Sequence, residues 1–518
     1  MKAAKLLILP ALILSTTRFF AQTATASNAA TGARQIAPGS LLRIFWSVPN
    51  GVGDPNPPGV SVKLRPQGTG EIFEPQVIGA VQPSVLVLVP QDVPSGATDV
   101  LLTVNSTAFP PTQVTVAPAA VGVFTSFGNF GPAAAQNVAA DSVPQLNRLT
   151  SPAIPGEYVI LWSTGLGGFT TPDMTISLAG EPVQPTFAAP APGLPGVDQI
   201  NFAVPVDAPL GCYVPLTVSA GGSTSNSVAL SIASSPGACQ YPLGLSAAQL
   251  QMLDQGQSAF AGSFAFFAPI QPPGPNAPGY TRVESFNAEL RDRSAFEIYL
   301  MSPKTEASAR RLGSQCVLSS GGAILSAISG ASGNPAGPLL TLVGPSKQSL
   351  TVPAAGLGYD LSLPSPPAVP TSDQLPPPFF VPGSWQFSAP GGDLVLGFQQ
   401  AYLLPPQISW TNRESLSTFW RDADLQINWD SDGYTSRDLL QIGILTPETS
   451  ISCSAPAQSG SLVVPVPLLQ NLPPGPGLLD LFVVPQTPTV FNLALTSGAA
   501  APAVMSYAFS DSLNVIIQ

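Results

Sequence analysis

Acidic residues in the segment at 282–311 are spaced so that they could catalyse glycoside hydrolysis. The acids Glu284, Glu289, Asp292 and Glu297 lie among several arginines. Two carboxylates that face a sugar bond are the minimum requirement of a glycosidase. The neighbouring arginines favour ionised carboxylates instead, because a nearby positive charge lowers the pKa of a carboxyl group. We interpret the segment as a solvated face of interleaved charges and assign it no catalytic residue.

The stretch NWDSDGY at 428–434 imitates the start of a calcium-binding loop. Asn428, Asp430 and Asp432 alternate ahead of a glycine, as the first ligands of an EF-hand loop do. The pattern fails at position one, which is Asn, and at position twelve, where Leu439 replaces the bidentate Glu. A hairpin turn that closes the strand LQINW explains the same residues. We therefore predict no metal and no cofactor.

The absence of histidine removes most familiar catalytic sites. No Ser-His-Asp or Cys-His site and no His-ligated metal site can form in a chain that contains no histidine. The sequence also lacks a G-x-S-x-G elbow, an S-x-x-K pair, a Walker loop and a G-x-G-x-x-G after a strand. We predict that the protein is not an enzyme. A glycosidase that uses only carboxylates stays open as an alternative.

Six tryptophans are the remaining candidates for ligand contacts, since their apolar faces can pack against sugar rings. Five lie in or beside alternating apolar runs, which is typical of a buried sandwich core. Trp420, in STFWRDAD, has polar neighbours, and we predict that it is the exposed one. It is the one residue to which we assign a ligand contact.

The four cysteines are Cys212, Cys239, Cys316 and Cys453, and no C-x-x-C pair occurs. An even number without metal-binding spacing indicates disulfides, which form in oxidising compartments. Of the three pairings that four cysteines allow, we favour Cys212–Cys239 and Cys316–Cys453, because each pair then stays within one predicted domain. Buried free thiols are the alternative.

The N-terminus has the order of a secretory signal. Two lysines precede the apolar run at 6–14, and small residues follow it. We predict cleavage after Ala26, with Ala21 as the alternative site. The apolar run is too short to span a bilayer, and no later stretch approaches the roughly 20 apolar residues of a membrane helix. We expect a mature chain without a transmembrane segment that is secreted, extracellular or on the cell surface, with the periplasm as the alternative.

Composition bounds the class of protein. The chain has 518 residues, 60 of them Pro and 47 Gly, with 44% apolar and 9% charged residues. This length suits three or four domains, and this apolar content favours folded domains with many turns. The net charge of −11 carries no basic patch, so it repels phosphate backbones. We expect no nucleic acid partner, and surface proteins or glycans as partners instead.

Two phrases occur twice in the N-terminal half of the chain. PGSLLRIFWS at 38–47 aligns with PGEYVILWST at 155–164, and VPQDVPSG at 89–96 aligns with VPVDAPLG at 204–211. The same order at similar spacing indicates two copies of one domain. Short alternating runs bounded by Pro, Gly, Asn and Asp predict an antiparallel, immunoglobulin-like β-sandwich.

The second copy resembles the Solibacter-type bacterial Ig-like surface repeat, a family found at the ends of many exported proteins. Three phrases carry the resemblance over 150–233: PGEYVILWSTGLGG, GVDQINFAVPVDAPLG and SNSVALSIA. Ser163 stands where the family often has Gly or Ala, and the first copy lacks T-G-L-G. Segments at 382–398, 408–412 and 425–434 resemble the C-terminal companion region of such proteins. The resemblance implies no catalytic residue.

The sequence thus predicts an all-β protein, in which tandem immunoglobulin-like antiparallel β-sandwiches are followed by a larger β domain. We predict a non-catalytic surface protein with a structural or adhesive role; a carbohydrate-binding module is the alternative beside the glycosidase. The predicted division is a signal peptide at 1–26, a divergent sandwich at 36–118, a second sandwich at 145–234, a Pro-rich linker with a short helix at 235–280, and a C-terminal β region at 281–518, one domain or two, that a Pro-rich loop at 363–382 interrupts.

Overall fold

A computed structural model provides the structure of the protein. It describes residues 23–518 apart from 48–58, 140–142, 242, 275–276, 302–315, 321–335, 356–357, 447–448, 471 and 487, and for 316–320 it describes the backbone alone. Within this part of the chain, strands dominate and three regions each bury a core, so the predicted all-β class with tandem sandwiches and a larger β domain is confirmed.

The first module is a sandwich of two sheets. Its strands are β1 (Ala24–Asn28), β2 (Gln35–Ile36), β3 (Leu41–Trp46), β4 (Val60–Pro66), β5 (Gln76–Val81), β6 (Ser84–Leu88), β7 (Gly96–Val104), β8 (Thr107–Ala108) and β9 (Thr112–Val116). One sheet has the order β1-β3-β6-β5 and the other the order β2-β9-β7-β4, with β8 on β7. Alternate residues such as Leu42 and Ile44 face inward and are fully buried, because successive strand side chains point to opposite faces.

The second module repeats this plan. Its strands are β10 (Gly122–Val123), β11 (Gly131–Pro132), β12 (Ala135–Val138), β13 (Gln145–Leu146), β14 (Tyr158–Thr164), β15 (Met174–Leu178), β16 (Glu181–Val183), β17 (Phe187–Pro190), β18 (Asp198–Ala203), β19 (Gly211–Ala220), β20 (Ser223–Thr224) and β21 (Val228–Ile232). One sheet runs β13-β12-β14-β18-β17 with β10 on β14, and the other β11-β21-β19-β15-β16 with β20 on β19.

The duplicated phrases are neighbours in space in both modules. The amide of Gly39 donates to the carbonyl of Val89 (3.0 Å), and the amide of Gly156 donates to the carbonyl of Val204 (2.8 Å). Both glycines have positive φ, 75° and 92°, a conformation that other residues seldom adopt. Each opening turn is thus fixed against the start of the second phrase. This shared contact explains why the two phrases recur together.

The C-terminal module contains helices α1 (Ala247–Asp254), α2 (Ala295–Met301) and α3 (Val466–Leu469). Its strands are β22 (Ala259–Gln271), β23 (Thr281–Arg282), β24 (Ser285–Arg293), β25 (Cys316–Ser320), β26 (Leu339–Val343), β27 (Ser349–Ala355), β28 (Gly358–Ser362), β29 (Gly383–Gly391), β30 (Leu396–Leu404), β31 (Thr418–Phe419), β32 (Leu425–Asn428), β33 (Asp438–Leu445), β34 (Thr449–Pro456), β35 (Ser461–Val464), β36 (Gly475–Pro485), β37 (Thr489–Ala494) and β38 (Ala500–Ile517).

One large sheet organises this module. Its order is β25-β34-β33-β36-β38-β22-β24-β28-β27-β26-β29-β30, and β32 and β35 form a separate pair. The sheet folds over itself, so that the ring of Phe387 on β29 lies 5.0 Å from Phe264 on β22 and 5.7 Å from Phe491 on β37. A single buried core results. The sequence left one domain or two open, and the described residues of this region bury one continuous core.

The observed module boundaries differ from the predicted ones. The first sandwich begins with β1 at Ala24 rather than at 36, and the core of the second includes Ala119, well before 145. The range 235–280, predicted as a linker, contains β22, a central strand paired with β24 and β38. Its Pro-rich end is the connection between β22 and β23. The linker prediction was wrong because turns and linkers share one composition, and only the pairing partners of the neighbouring segments distinguish them.

Two smaller predictions are confirmed. The short helix forms as α1, and it begins with a capping box in which Ser246 and Gln249 satisfy each other's backbone amides. The Pro-rich stretch at 363–382 is a long loop whose regular structure is limited to a 3-10 turn, Ser372–Gln374, and one bridge between Val369 and Tyr280. Proline lacks the amide that a central strand needs, so this stretch cannot enter the sheet.

The signal-peptide prediction lies mostly outside the described residues. Its last residues are described, and Ala24 and Ala26 belong to β1, which pairs with β3 from Ala24 onward. Ala26 is buried in the core of the first module. Cleavage after Ala26 would remove half of this strand, whereas cleavage after Ala21 would leave it whole. The described strand is compatible with the alternative site, and the signal peptide itself stays a prediction.

Candidate functional site

The four acidic residues singled out in the charged segment, all within its described part, do not form a facing pair of catalytic carboxylates. Glu289 pairs with Arg291 and Arg293 at 3.3 and 3.1 Å, and Glu297 pairs with Arg291. Although burial raises the pKa of Glu297, hydrogen bonds from Arg291 and from Ser294 outweigh it and hold the pKa below its usual value. Such a carboxylate stays ionised and cannot serve as a general acid near neutral pH.

Glu284 is buried rather than solvated, which corrects one part of that prediction. Its carboxylate accepts hydrogen bonds from the amides of Phe379 and Phe380, each at 2.9 Å, and from the side chain of Gln407 at 3.2 Å. Asp292 is exposed. Glu284 therefore anchors the Pro-rich loop to the sheet.

The NWDSDGY segment forms a turn but not the predicted hairpin. The strand before it, β32, pairs with β35 instead of with the following strand, β33, because β33 is held between β34 and β36. The carboxylate of Asp430 accepts from the amide of Asp432 at 3.0 Å, and Asn428 lies in β32. Within the described ranges, no three Asp, Glu, Cys or His side chains cluster as metal ligands would.

One predicted disulfide is present, and the other stays a prediction. Cys212 on β19 is bonded to Cys239. Cys316 on β25 lies directly opposite Cys453 on β34 in the strand register. Opposed residues of antiparallel strands have Cα atoms about 4.5–5.5 Å apart, a distance that a disulfide can span. The side chain of Cys316 lies outside the described residues, so the register supports this bond without showing it.

The tryptophans divide as the sequence predicted. Trp420 is 60% exposed, Trp162 is half-buried, and the four remaining tryptophans are buried. Trp420 follows β31, which pairs with the end of β38. Its indole is therefore free to contact a ligand, but no second exposed tryptophan accompanies it. The ligand contact assigned to it stays a prediction.

Contacts between the first and second modules form the first joint. The buried side chain of Asn28 donates to the carbonyl of Ala120 at 2.8 Å and accepts from the amides of Ala30 and Thr31 at 2.9 and 3.2 Å. A Cβ on Gly122 would lie 2.7 Å from the methyl group of Thr31. A side chain at position 122 would therefore collide with the side chains of Ala30 and Thr31 on the first module.

The T-G-L-G motif of the second copy serves this same joint. The hydroxyl of Thr164 accepts from the amide of Leu41 at 2.9 Å and donates to the carbonyl of Gly196 at 2.6 Å. Leu41 begins the strand that carries the first copy of the duplicated phrase. The first copy lacks T-G-L-G, and this difference was the signal in the sequence that could have identified the joint.

A buried carboxylate supports the T-G-L-G loop. Asp198 accepts from the amide of Leu166 at 3.0 Å. Burial raises the pKa of Asp198 to about 6, although hydrogen bonds from the amides of Leu166 and Gly165 act in the opposite direction. The loop at the first joint is therefore held by a group that changes charge in mildly acidic solution.

Contacts between the second and C-terminal modules form the second joint, and part of it is polar. Asp254, the last residue of α1, accepts from the amide of Leu149 at 3.2 Å and from the amide and hydroxyl of Thr150 at 2.8 and 2.7 Å. The disulfide between Cys212 and Cys239 ties the chain that leads to α1 back to the second module. The exit from the second sandwich is thus fixed covalently.

Aromatic rings fill the rest of the second joint. Phe127 lies 5.5 Å from Phe296 on α2, and Tyr213 lies 5.0 Å from Tyr299, both in edge-to-face geometry. The hydroxyl of Tyr241 donates to a carbonyl of α2 at 2.9 Å. Edge-to-face pairs add to the stabilisation from buried area. This joint is an apolar core in its own right.

A cleft of about 330 Å³ lies in the C-terminal module, outside both joints. The ends of β22 and β23, the Pro-rich loop, the segment before a 3-10 turn (Arg413–Leu416) and β38 form its walls. Arg413 is buried there and binds the carboxylate of Asp511 through Nε (3.1 Å) and Nη2 (3.1 Å). Its guanidinium also lies 4.5 Å from the ring of Tyr280. The charge of Arg413 is thus fully matched.

Arg282 in the same cleft is matched less completely. Its Nη1 donates to the carbonyl of Pro376 at 2.6 Å, and its Nε has no hydrogen-bond partner. Burial lowers the pKa of Arg282, and Glu284 and Asp511 oppose this effect. A guanidinium has five N–H donors. This cleft, which the sequence did not predict, therefore offers donors to an external acceptor.

Comparisons with known proteins give only distant likenesses. No family model and no curated protein matches the chain. The chain is similar to a tetra-tandem repeat from the extending region of a large adhesion protein, at 13% identity over 94% of this chain and 99% of that one, with a TM-score of 0.13. Domains 5–6 of the S-layer protein SbsC match at 15% identity over 40% and 96%, with a TM-score of 0.19.

The third likeness is to SGBP-B of the mixed-linkage glucan utilization locus of Bacteroides ovatus, solved with a mixed-linkage heptasaccharide. The identity is 11% over 40% of this chain, and the TM-score is 0.21. The match spans about half, 47%, of that protein. These scores are too low to transfer a ligand or a partner to this chain. Among the described residues, no helix is long and apolar enough to cross a bilayer.

Proposed function

We propose that this protein is a non-catalytic component of the cell surface or extracellular matrix, in which three β modules act as one mechanical unit with a structural or adhesive role. The observation that carries this proposal is the pair of joints. Asn28 and Thr164 complete hydrogen bonds across the first joint, and Asp254 does so across the second. A structural element must hold its modules in fixed relation, and buried, directional contacts do this.

The joints replace the stiff linkers that the composition suggested. Independent modules are usually connected by exposed, flexible segments that few contacts cross. Here the connecting residues are themselves buried, as Ala119 and Cys239 are. Separating the modules would expose apolar surface and break hydrogen bonds at once, at a cost in free energy. The modules therefore transmit a load or a position along the chain better than independent domains would.

Export and family membership belong to the same proposal. The signal-like N-terminus and the Cys212–Cys239 disulfide support an extracellular, oxidising location. The phrases over 150–233 support membership in the Solibacter-type Ig-like surface repeat family. Carbohydrate binding is the second candidate function, and the exposed indole of Trp420 favours it.

The mechanical part is tested with spin labels placed by cysteine substitution at the exposed Val81 in the first module and Leu403 in the C-terminal module. Double electron–electron resonance spectroscopy on the 22–518 protein should give one narrow distribution of distances between the two labels. A broad distribution, as expected of modules on flexible linkers, would contradict the proposal. A label pair within the first module, at Val81 and Ile72, is the control for the width that the labels themselves contribute.

The surface role and the lack of catalysis need separate measurements. Protease treatment of intact cells should degrade the protein if it is displayed outside, and cells without its gene should adhere or aggregate less. A panel of chromogenic glycosides should show no turnover. Turnover that Glu289→Gln or Asp292→Asn abolishes would establish a glycosidase instead, whereas glycan-array binding that Trp420→Ala abolishes would favour the binding module.

A further inference from the structure

The cleft beside the Pro-rich loop contains a guanidinium with unused donors. Arg282 is 8% exposed and lines the cleft. One N–H of Nη1 binds the carbonyl of Pro376, and no hydrogen bond engages Nε. Buried polar groups in native proteins almost always have partners, and an exception calls for an explanation. An oxygen-bearing ligand in the cleft would supply an acceptor for the Nη hydrogens of Arg282 that Pro376 leaves unused.

The nearest carboxylates cannot supply that acceptor. Glu284 is held by the amides of Phe379 and Phe380, and Asp511 is held by Arg413. Releasing either one would leave other buried donors unpaired, which costs more than Arg282 would gain. Nε itself is sealed inside the protein, so an acceptor from outside would bind the Nη hydrogens of Arg282 at the cleft that this residue lines. A carboxylate suits it, because two oxygens can bind the guanidinium fork side by side.

The rest of the lining matches a hydroxylated ring. Ser372, Ser409 and the carboxylate of Asp373 offer donors and acceptors, and Trp410 and Ile408 offer apolar surface. The volume of about 330 Å³ is at the small end of ligand sites. A sugar ring has several hydroxyl groups and an apolar face, and it needs both kinds of partner.

The prolines of the cleft argue against a peptide ligand. Pro376, Pro377 and Pro378 form one wall, and proline has no amide N–H. An extended peptide is usually bound by main-chain hydrogen bonds along a strand edge, and this wall cannot donate them. Sugar hydroxyls can instead donate to the proline carbonyls that remain free.

We propose that this cleft binds a hexuronate unit, with its carboxylate on Arg282 and its hydroxyl groups on Ser372 and Ser409. This ligand class goes beyond the structural role proposed above, because that role is argued from the joints and not from the cleft. A protein of this kind would attach to acidic polysaccharides through its C-terminal module.

The test is titration of the 22–518 protein with D-glucuronate and D-galacturonate, followed by saturation-transfer NMR and calorimetry. D-Glucose and N-acetyl-glutamate are the comparison ligands. A uronate should bind at least about tenfold more tightly than either of them, the difference that about 1.4 kcal/mol produces. Equal binding of glucose would show that no carboxylate is recognised, and equal binding of N-acetyl-glutamate would show that no sugar is recognised. Either result, or no uronate binding at millimolar concentration, would overturn the proposal.

Substitutions locate the site. Arg282→Gln should weaken uronate binding at least about tenfold by removing the charge-assisted bonds, and Arg43→Gln, on the first module, should have no effect. Asp373→Asn should strengthen uronate binding about two- to threefold, because it removes an exposed negative charge near the ligand. If Arg282→Gln lowers the melting temperature, the test depends on Asp373→Asn, because Asp373 is exposed and this substitution should leave the fold intact. Unchanged affinity in Asp373→Asn and in a folded Arg282→Gln would place the ligand elsewhere and reject this site.

Discussion

The two joints hold modules together by different physics. The first relies on the hydrogen bonds of Asn28 and Thr164 and on close packing of first-module side chains against Gly122. The second relies on a disulfide, on edge-to-face rings and on Asp254. Hydrogen bonds depend steeply on distance and angle, whereas apolar contacts tolerate small shifts. The first joint should therefore specify orientation, and the second should supply more of the stability.

The difference follows from what each joint connects. The first joins two copies of one sandwich through short strands and turns. The second joins a sandwich to a larger module through α1 and α2, and helices present side chains such as Phe296 and Tyr299 toward a neighbour. A duplicated domain can thus acquire two unlike contacts without changing its own fold.

The largest effect is expected from removing the disulfide of the second joint. Cys212→Ser together with Cys239→Ser releases a loop with a sequence separation of 27, which should lower the free energy of unfolding by about 3.5 kcal/mol in the chain-entropy model. Segment-resolved hydrogen exchange should show the loss in β19 and α1. The first module is the internal control, and an equal loss there would mean that the joints are not independent.

Asn28→Ala should have the next largest effect, and at the first joint. It leaves the carbonyl of Ala120 and the amides of Ala30 and Thr31 without the partners they have now. Unpaired buried groups of this kind should cost about 2–3 kcal/mol. Spin-label distances between the first two modules should broaden as well. Asn129→Ala, which removes one exposed bond to Thr31, is the matched control and should cost no more than about 0.5 kcal/mol.

The two joints should also differ in how their stability depends on pH. Because the pKa of Asp198 rises to about 6 in the folded protein from 3.8, the folded state binds this proton more tightly than the unfolded chain. The stability that this provides is complete below pH 3.8 and is lost as pH rises through 6. Between these limits, the free energy of opening the T-G-L-G loop should fall by on the order of 2 kcal/mol.

The pH dependence of the free energy of loop opening is measured by the hydrogen exchange of the Leu166 amide at a series of pH values. Asp198→Asn should remove it, because the amide side chain does not titrate, while the slope at the second joint stays unchanged. A wild-type stability that rises over the same pH interval would contradict the assignment of this effect to Asp198.

The smallest effect is expected from Asp254→Asn. The variant keeps the side-chain shape but replaces one acceptor oxygen by an NH2 donor, so the hydrogen bond from the amide of Leu149 is lost and the two from Thr150 lose the strengthening charge. The second joint should weaken by about 1 kcal/mol, with the rings still in place. Asp173→Asn, at an exposed position of the second module, should have no measurable effect on thermal unfolding. A larger loss than that of the disulfide variant would reverse the order proposed for this joint.

Much of the fold was predictable from local pattern. The apolar runs at 425–429, 439–445, 461–466, 478–484 and 490–495 correspond to β32, β33, β35, β36 and β37, because alternation and flanking turns are properties of a short segment. The longest strands were missed. β22 and β38 contain Pro269 and Pro502, and proline within a run argues against a central strand, yet both strands lie side by side in the large sheet.

The candidate sites were predictable only in part. The exposure of Trp420 follows from its polar neighbours, and the Cys212–Cys239 bond was favoured from an even count and from pairing within one predicted domain. Arg282, Asn28 and Asp198 carried no signal, because their importance depends on partners that are distant in the chain. Thr164 carried a weak one, since it belongs to a motif that one copy has and the other lacks.

The sequence by itself determined the β class, the duplicated sandwich and the exclusion of histidine chemistry, since each depends on composition or on spacing within a few residues. Tertiary structure alone decided where the modules begin, that 259–271 is a sheet strand rather than a linker, and that T-G-L-G lies at a joint. Strand pairing and burial involve residues far apart in the chain, such as Gly262 with Ala503. The free energy of such a pair depends on both partners at once, so no local pattern can reveal it.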